Sequence, residues 1–567
     1  MENGYIRVAS VIPAVKVADV STNVENIISM ARELAYKNVR LAVFPELSLT
    51  GYTCGDLFQH RTLLDATLDG INSLMEFTRQ HTHIALIVGA PLVYNGVVYN
   101  CAITIKGGIP IAAVPKIYLP NYGEFYEKRW FGSGASLPSD DITIKINGHD
   151  VPFGIHLLTE IAGVKVGMEL CEDLWGPIPP STRASLAGAQ IIANLSASND
   201  LIGKYEYLQS VIMQQSSRCL GAYIYASAGF GESTTDLAYD GKAIIAENGF
   251  ILAINDRWTR KPSMIIADVD IDAIDYDRIH NTTFAKAQSL EITRPYRVVV
   301  APGDTLRADG QLYRTVDPHP FVPEDTTTIN SRCADIVNIQ ISGLAQRLKA
   351  TGTKALVVGI SGGLDSTLAL LVATRAFDVL GLDRKGIVGV TMPGYGTTDR
   401  THDNAVTLMT ALGITQKEIS IVPAVNQHFA DLGHNSDIHD VTYENAQARE
   451  RTQILMDTAN QVGGMVLGTG DLSELALGWA TFNGDHMSMY GINSGIPKTL
   501  VRSLVEWFAA RTENTVERAT LLDIAATPIS PELIPANTDG TIAQKTEDLV
   551  GPYELHDFFI YYMLRFG

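Results

Sequence analysis

The sequence predicts an α/β protein built as two domains, the second a doubly wound parallel sheet. Three observations carry this. The chain is 567 residues long, more than one ordinary hydrophobic core accommodates. Short β-branched runs alternate with amphipathic segments, the pattern of helices laid over a sheet. Around residues 290–325 that alternation stops in a stretch rich in Pro, Asp and Thr, and then it resumes. The expected division is therefore 1–290, a linker over 291–325, and 326–567.

In the first half the strand candidates are VRLAVFPE, IALIVGAPLV, YNCAITI, VKVGMELCE, AQIIANLSAS and AYIYASAG, with helices such as NVENIISMARELAYK and YEYLQSVIMQQSSRCL among them. The second half opens with the helix ADIVNIQISGLAQRLKAT. The strand KALVVGI, a glycine-rich loop, another helix and the strand KGIVGVTMPG follow. In such a sheet ligands bind beyond the carboxyl ends of the strands.

Composition narrows the function classes. Hydrophobic residues make up 46% and the net charge is −19, so an electrostatic partner such as nucleic acid or an anionic membrane is not expected. No apolar run reaches the length of a membrane span, and the N-terminus lacks the basic and apolar regions of a signal peptide. Five scattered cysteines form no metal or disulfide framework, which suits a reducing, cytoplasmic compartment.

The loop GISGGLDST joins a strand to a helix, where phosphate is commonly gripped, yet the lysine of the common P-loop is missing. Three readings compete: a glycine-rich packing turn, a G-x-S-x-G nucleophile elbow, and a pyrophosphate cradle. In the last, Ser361, Gly362, Gly363 and Ser366 donate to phosphate, and Asp365 serves a hard cation. Further on, Arg449 and Arg451 sit on the polar side of a helix. Thr469, Asp471, Ser473 and Glu474 lie at a strand end, where a second metal carboxylate opposite Asp365 is wanted. A hydrolase has no use for this set.

These segments, with AQKTEDLVGPYELHDFFIYY, resemble the NAD synthetases over roughly residues 330–567. The resemblance implies adenylation of the carboxylate of nicotinic acid adenine dinucleotide (deamido-NAD) by ATP with Mg²⁺, release of pyrophosphate, and displacement of AMP by ammonia. Carried over residue by residue, Gly359, Ile360, Ser361, Gly362, Gly363, Leu364, Asp365, Ser366 and Thr469 bind ATP. Asp365 and Glu474 hold the metal. Asn445, Glu474, Trp479, Ala480, Thr481, Phe482 and Lys545 contact the dinucleotide. Core packing accounts for Trp479 and Phe482 equally well.

Ammonia is mostly protonated near neutral pH, so an enzyme gains by making it locally. In the first half three strands stop on reactive residue types: Glu46, Lys116 and Cys171. A carboxylate that takes the thiol proton, an ammonium for the oxyanion and a sulfur nucleophile suffice for an amidase. Any one alone is more often a packed or solvated residue. Together, within FPELSLTGY, PKIYLPNY and ELCEDLW, they resemble the nitrilase-like glutaminase domain, a four-layer αββα sandwich, over roughly residues 5–285. That resemblance implies glutamine binding by Tyr122, Ser198 and Lys204, support of the lysine by Glu127, and a nucleophile turn lined by Glu172 and Trp175. The resemblance of the second half to the NAD synthetases implies a homo-oligomer, a dimer or larger. An AMP-forming ligase with another acceptor, and an amidase fused to a nucleotide sensor, are the rival readings.

Overall fold

The computed structural model describes residues 4–291, 295–303, 310–322, 325–530, 533–534 and 546–567. The chain divides into two compact units, Met1–Val316 with Phe566, and Asp317–Arg565 with Gly567.

The first unit holds an eight-stranded and a seven-stranded sheet. Strand Tyr5–Ile12 runs parallel to Leu41–Val43, which runs parallel to Ala85–Tyr94. In the second sheet Val164–Leu170, Ile191–Ser196 and Ala222–Ser227 are parallel neighbours. These strands are buried along nearly their whole length, because both faces are covered. One core joins the sheets, with Val8, Val43 and Ile87 meeting Val166, Leu170 and Ala193. A second core packs the helices Val20–Tyr36 and Arg61–Gln80 on the outer face of the first sheet. A third packs Pro180–Leu186 and Lys204–Arg218 on the second. This is the four-layer helix–sheet–sheet–helix sandwich that the resemblance implied. The alternation alone did not reveal the second sheet.

The stretch 291–325 is not simply a linker. Residues Arg297–Val300 add an edge strand parallel to Leu157–Ile161. Arg314 pairs with Glu247 at 2.8 Å. Pro and Asp interrupt the local periodicity, so only the sheet partner, distant in sequence, identifies the short strand.

The second unit is a five-stranded, all-parallel sheet in the order Thr415–Glu418, Ile387–Thr391, Leu356–Gly359, Met465–Gly468, Tyr490–Gly491. Leu356–Gly359 is central, and the chain crosses to opposite sides of it. That places the ligand crevice at the carboxyl end of this strand. The helix Leu364–Leu380 starts there and is buried along most of its length. The first helix of this unit runs from Thr326 to Thr351, longer than its apolar periodicity predicts, because Asp325 caps it upstream.

Candidate active sites

In the first unit three strand ends converge. Lys116, directly after Ile109–Pro115, places its Nζ 2.6 Å from Glu46 Oε1 and 2.6 Å from Glu127 Oε1. All three side chains are sealed from solvent. Glu46 also accepts from Asn100 Nδ2 at 2.6 Å and from the Ala197 amide at 2.9 Å, so its carboxylate has one orientation. Glu127 further accepts from the Tyr52 hydroxyl at 2.8 Å. The Tyr52 amide in turn donates to buried Glu232 at 2.7 Å. Burial pulls the Lys116 ammonium down, but Glu127 and Glu46 outweigh it and hold the group well above the ordinary lysine value. Lys116 is therefore a permanent cation. Burial raises Glu127 to about 7, against the lowering pull of Lys116.

Cys171 follows strand Val164–Leu170 with φ of 42°, a left-handed conformation that costs a non-glycine residue energy and recurs where a nucleophile must project from a turn. Asp173 fixes that turn. Its buried carboxylate accepts from the amides of Leu170 at 3.1 Å, Ile117 at 3.1 Å and Tyr118 at 2.8 Å. It thus ties the cysteine turn to the residues after the lysine. Burial pushes the Cys171 thiol up to about 12, with Glu46 raising it further and Lys116 lowering it. The resting sulfur is a thiol, and the proton must leave as the nucleophile engages. Between about pH 7 and pH 9, alkylation of Cys171 by iodoacetamide should rise roughly tenfold per pH unit, since only thiolate reacts. A flat profile would show a preformed thiolate.

Around this centre the Tyr122 hydroxyl donates to Glu172 at 2.7 Å. Ser198 is buried, its amide bonded to Ser227 Oγ at 3.1 Å. Lys204 Nζ donates to the carbonyl of Asn199 at 3.0 Å and to its Oδ1 at 2.6 Å. It also lies 5.5 Å from the ring of Trp175. Burial lowers the Lys204 ammonium, with Cys171 among the opposing influences. A desolvated ammonium hydrogen-bonded only to neutral oxygens is a receptor for a carboxylate.

In the second unit a cavity of about 300 Å³ opens at the end of Leu356–Gly359 and is lined by Ser361, Asp365, Thr469, Glu474, Trp479 and Lys498 among others. Gly363 caps the helix. Its amide donates to Ser361 Oγ at 3.2 Å, and that hydroxyl lies 3.2 Å from Ser366 Oγ. Ser361, Gly363 and Ser366 all line the cavity at a helix N-terminus, where an anion is favoured. Gly362 has φ of 84°, and a Cβ there would lie 2.0 Å from the Thr401 carbonyl oxygen. Gly362→Ala should therefore lose ATP binding in a calorimetric titration. An unchanged affinity would mean that this turn does not shape the nucleotide pocket.

A lysine does reach this loop, from far along the chain. Lys498 Nζ lies 2.6 Å from Asp365 Oδ2, 2.5 Å from Asp471 Oδ2 and 2.9 Å from Glu474 Oε1. Burial lowers the Lys498 ammonium, but Asp365, Glu474 and Asp471 more than reverse this. Carboxylate oxygens of Asp365, Asp471 and Glu474 lie within 4.8 Å of one another, and Asp365 Oδ1 is buried without a hydrogen-bond partner. Three hard oxygen donors and a free buried lone pair fit a divalent cation. Asp471 also caps the helix Leu472–Leu477, accepting from the Glu474 amide at 2.8 Å.

Thr481 donates to Asn445 Oδ1 at 2.7 Å, which brings two of the expected dinucleotide residues together. Core packing does not explain the aromatics: Trp479 is half-buried on the cavity wall, and Phe482 is 81% exposed. Lys545 lies outside the described residues. Tyr52, Asn100, Asp173, Glu232 and Lys498 were not among the expected site residues, and Asp471 was not grouped with Asp365 and Glu474 as a carboxylate cluster. Of these, Tyr52 and Asp173 lie inside the quoted segments FPELSLTGY and ELCEDLW, and Asn100 inside the strand YNCAITI.

Two family models match in order, carbon-nitrogen hydrolase over residues 7–278 and NAD synthase over 336–539. Glutamine-dependent NAD(+) synthetases of Mycobacterium bovis and Mycobacterium tuberculosis are each 41% identical over 577 residues, covering 100% of this chain and 84% of theirs. The chain belongs to the glutamine-dependent NAD(+) synthetases. A further member, from Thermotoga maritima, is 28% identical over 548 residues, covering 95% of this chain and 85% of its own. The crystal structure of the Cytophaga hutchinsonii glutamine-dependent NAD(+) synthetase matches at 22% identity and a TM-score of 0.42, over 92% of this chain and 84% of its own. As a glutamine-dependent NAD(+) synthetase, this chain is an enzyme, a carbon–nitrogen ligase with its own glutaminase domain.

Proposed function

We propose that the first unit makes ammonia from glutamine and the second spends it in turning deamido-NAD into NAD at the expense of ATP. Cys171 Sγ attacks the side-chain amide carbon while Glu46 takes the thiol proton. Lys116, held by two carboxylates, steadies the oxyanion. Collapse breaks the C–N bond, and Glu46 returns its proton to the departing nitrogen as ammonia leaves. Water, activated by Glu46, then opens the glutamyl thioester to glutamate. Lys204 receives the substrate's α-carboxylate, Tyr122 and Ser198 line the same pocket, Glu172 orients Tyr122, and Glu127 orients Lys116.

In the second unit the turn 359–366 and Thr469 hold the ATP phosphates, while Lys498 supplies the positive charge that the loop itself lacks. Asp365 and Glu474, joined by Asp471, would hold Mg²⁺, whose charge would offset that of the phosphates. Asn445, Trp479, Ala480, Thr481, Phe482 and Lys545 hold deamido-NAD. Its nicotinate carboxylate attacks the α-phosphorus and pyrophosphate leaves. Ammonia then attacks the acyl adenylate and AMP leaves. We further propose a homo-oligomer, and a cytoplasmic location consistent with five free, buried cysteines.

The observation that carries this reading is the sealed Glu46–Lys116–Glu127 cluster beside Cys171, on the same chain as a carboxylate-lined phosphate turn. The test is to supply ATP, Mg²⁺ and deamido-NAD with either glutamine or ammonium. NAD, AMP and pyrophosphate should form with both. ADP as product, or NAD from neither nitrogen source, would refute it. Among the described residues no helix is long and apolar enough to cross a membrane.

A further inference from the structure

Behind the glutamine pocket lies a second, buried ionic cluster that the reaction above does not use. Lys242, 1% exposed at its side chain, contacts both Asp200 Oδ1 and, at 2.7 Å, Asp240 Oδ1. Arg257 reaches the same two carboxylates, at 3.1 Å to Asp200 and 2.5 Å to Asp240. Its guanidinium also stacks 4.1 Å from the ring of Tyr205. Two cations and two carboxylates make the group neutral. Taking these charges out of water is costly, with Lys242, Asp200 and Asp240 at 6% side-chain exposure or less and Arg257 at 26%, and an apolar set would serve packing at least as well. The location offers a reason for keeping it.

Asp200 sits between Ser198 and Lys204, in the turn that enters the helix Lys204–Arg218. Its amide is pinned to the Ala238 carbonyl at 2.9 Å. Its second oxygen, Oδ2, is buried without a hydrogen-bond partner, so this carboxylate has capacity to spare for a nearby cation. Lys204 is that cation, and it feels both Asp200 and Lys242 electrostatically. Yet its hydrogen bonds go only to Asn199. Asp200 is instead engaged through its Oδ1 by both Lys242 and Arg257.

We propose that Lys242 is a positioning residue for the amide donor: by holding Asp200 it keeps that carboxylate off Lys204 and leaves the Lys204 ammonium to the α-carboxylate of glutamine. This rests on the assignment of Lys204 to glutamine binding. Without Lys242 the cluster carries a net negative charge beside Lys204. That charge competes with the incoming carboxylate.

The test measures glutamine-supported and ammonium-supported NAD formation in the full chain. Lys242→Met should raise KM for glutamine about tenfold or more and leave the ammonium-supported rate intact. Lys242→Arg should stay near the parent. Lys242→Met combined with Asp200→Asn, neutral again, should recover most of the lost affinity. Asp200→Asn alone should leave KM at or below the parent value, which also carries the test should Lys242→Met fail to fold. The proposal falls if Lys242→Met leaves KM unchanged, if the double variant is as impaired as the single, or if Asp200→Asn raises KM as loss of a purely mechanical clamp would. Lys204→Met is the separate control. If it leaves KM for glutamine unchanged, the underlying assignment of Lys204 has failed instead.

Discussion

Cys171→Ala should cut glutamine-supported NAD formation by about 10³-fold or more, as loss of a nucleophile does elsewhere, while leaving the ammonium-supported rate close to that of the parent. The asymmetry is the informative part. Cys171 belongs to the first unit, where its sulfur stands beside Glu46 and Lys116. External ammonium bypasses that chemistry. The residue is small and buried, and alanine fills nearly the same space, so folding should be little disturbed. Equal loss of both activities would make the cysteine a structural residue and remove the proposed ammonia source.

Asp365→Asn should do the opposite and lower both activities together, by about 10²–10³-fold for one lost electrostatic stabiliser. Asp365 stands where three of the site's features meet. It lies in the phosphate turn at a helix start, it shares the carboxylate cluster with Asp471 and Glu474, and it is 2.6 Å from Lys498. Asparagine keeps the shape and removes the charge. Pyrophosphate release should fall in parallel with NAD, because the adenylating step itself is impaired. The rate of Cys171 alkylation in the same variant reports whether the first unit is folded. Should NAD form normally from ammonium, neither cation binding nor Lys498 placement would depend on this carboxylate.

Much of the site was legible because catalytic groups in α/β sheets sit just past strand ends, and strand ends leave a local trace. Lys116 and Cys171 each follow a buried run directly. Glu46 lies three residues past Leu41–Val43, and the proline before it marks the turn. The phosphate loop was legible for the same reason: glycines and hydroxyls between a strand and a helix are a local statement. Asn100 and Tyr52 fall inside the quoted segments YNCAITI and FPELSLTGY, yet nothing local marks their role. Asn100 interrupts an otherwise apolar strand and Tyr52 reads as one more aromatic, and each acquires meaning only from a carboxylate 54 or 75 residues away. Lys498 opens an amphipathic helix, where a lysine ordinarily points to water. It is separated from Asp365 by 133 residues.

Local sequence carried the α/β class, the two-part organisation, the reactive residue types at three strand ends and the glycine-rich turn after Leu356–Gly359, since side-chain periodicity and turn chemistry act over a few residues. Tertiary packing alone places Arg297–Val300 at a sheet edge, brings Lys498 to Asp365, Asp471 and Glu474, and pairs Asp200 with Lys242 and Arg257. Buried charges take their partners from wherever the fold brings opposite charge within reach, and that pairing is set by the packing of whole layers.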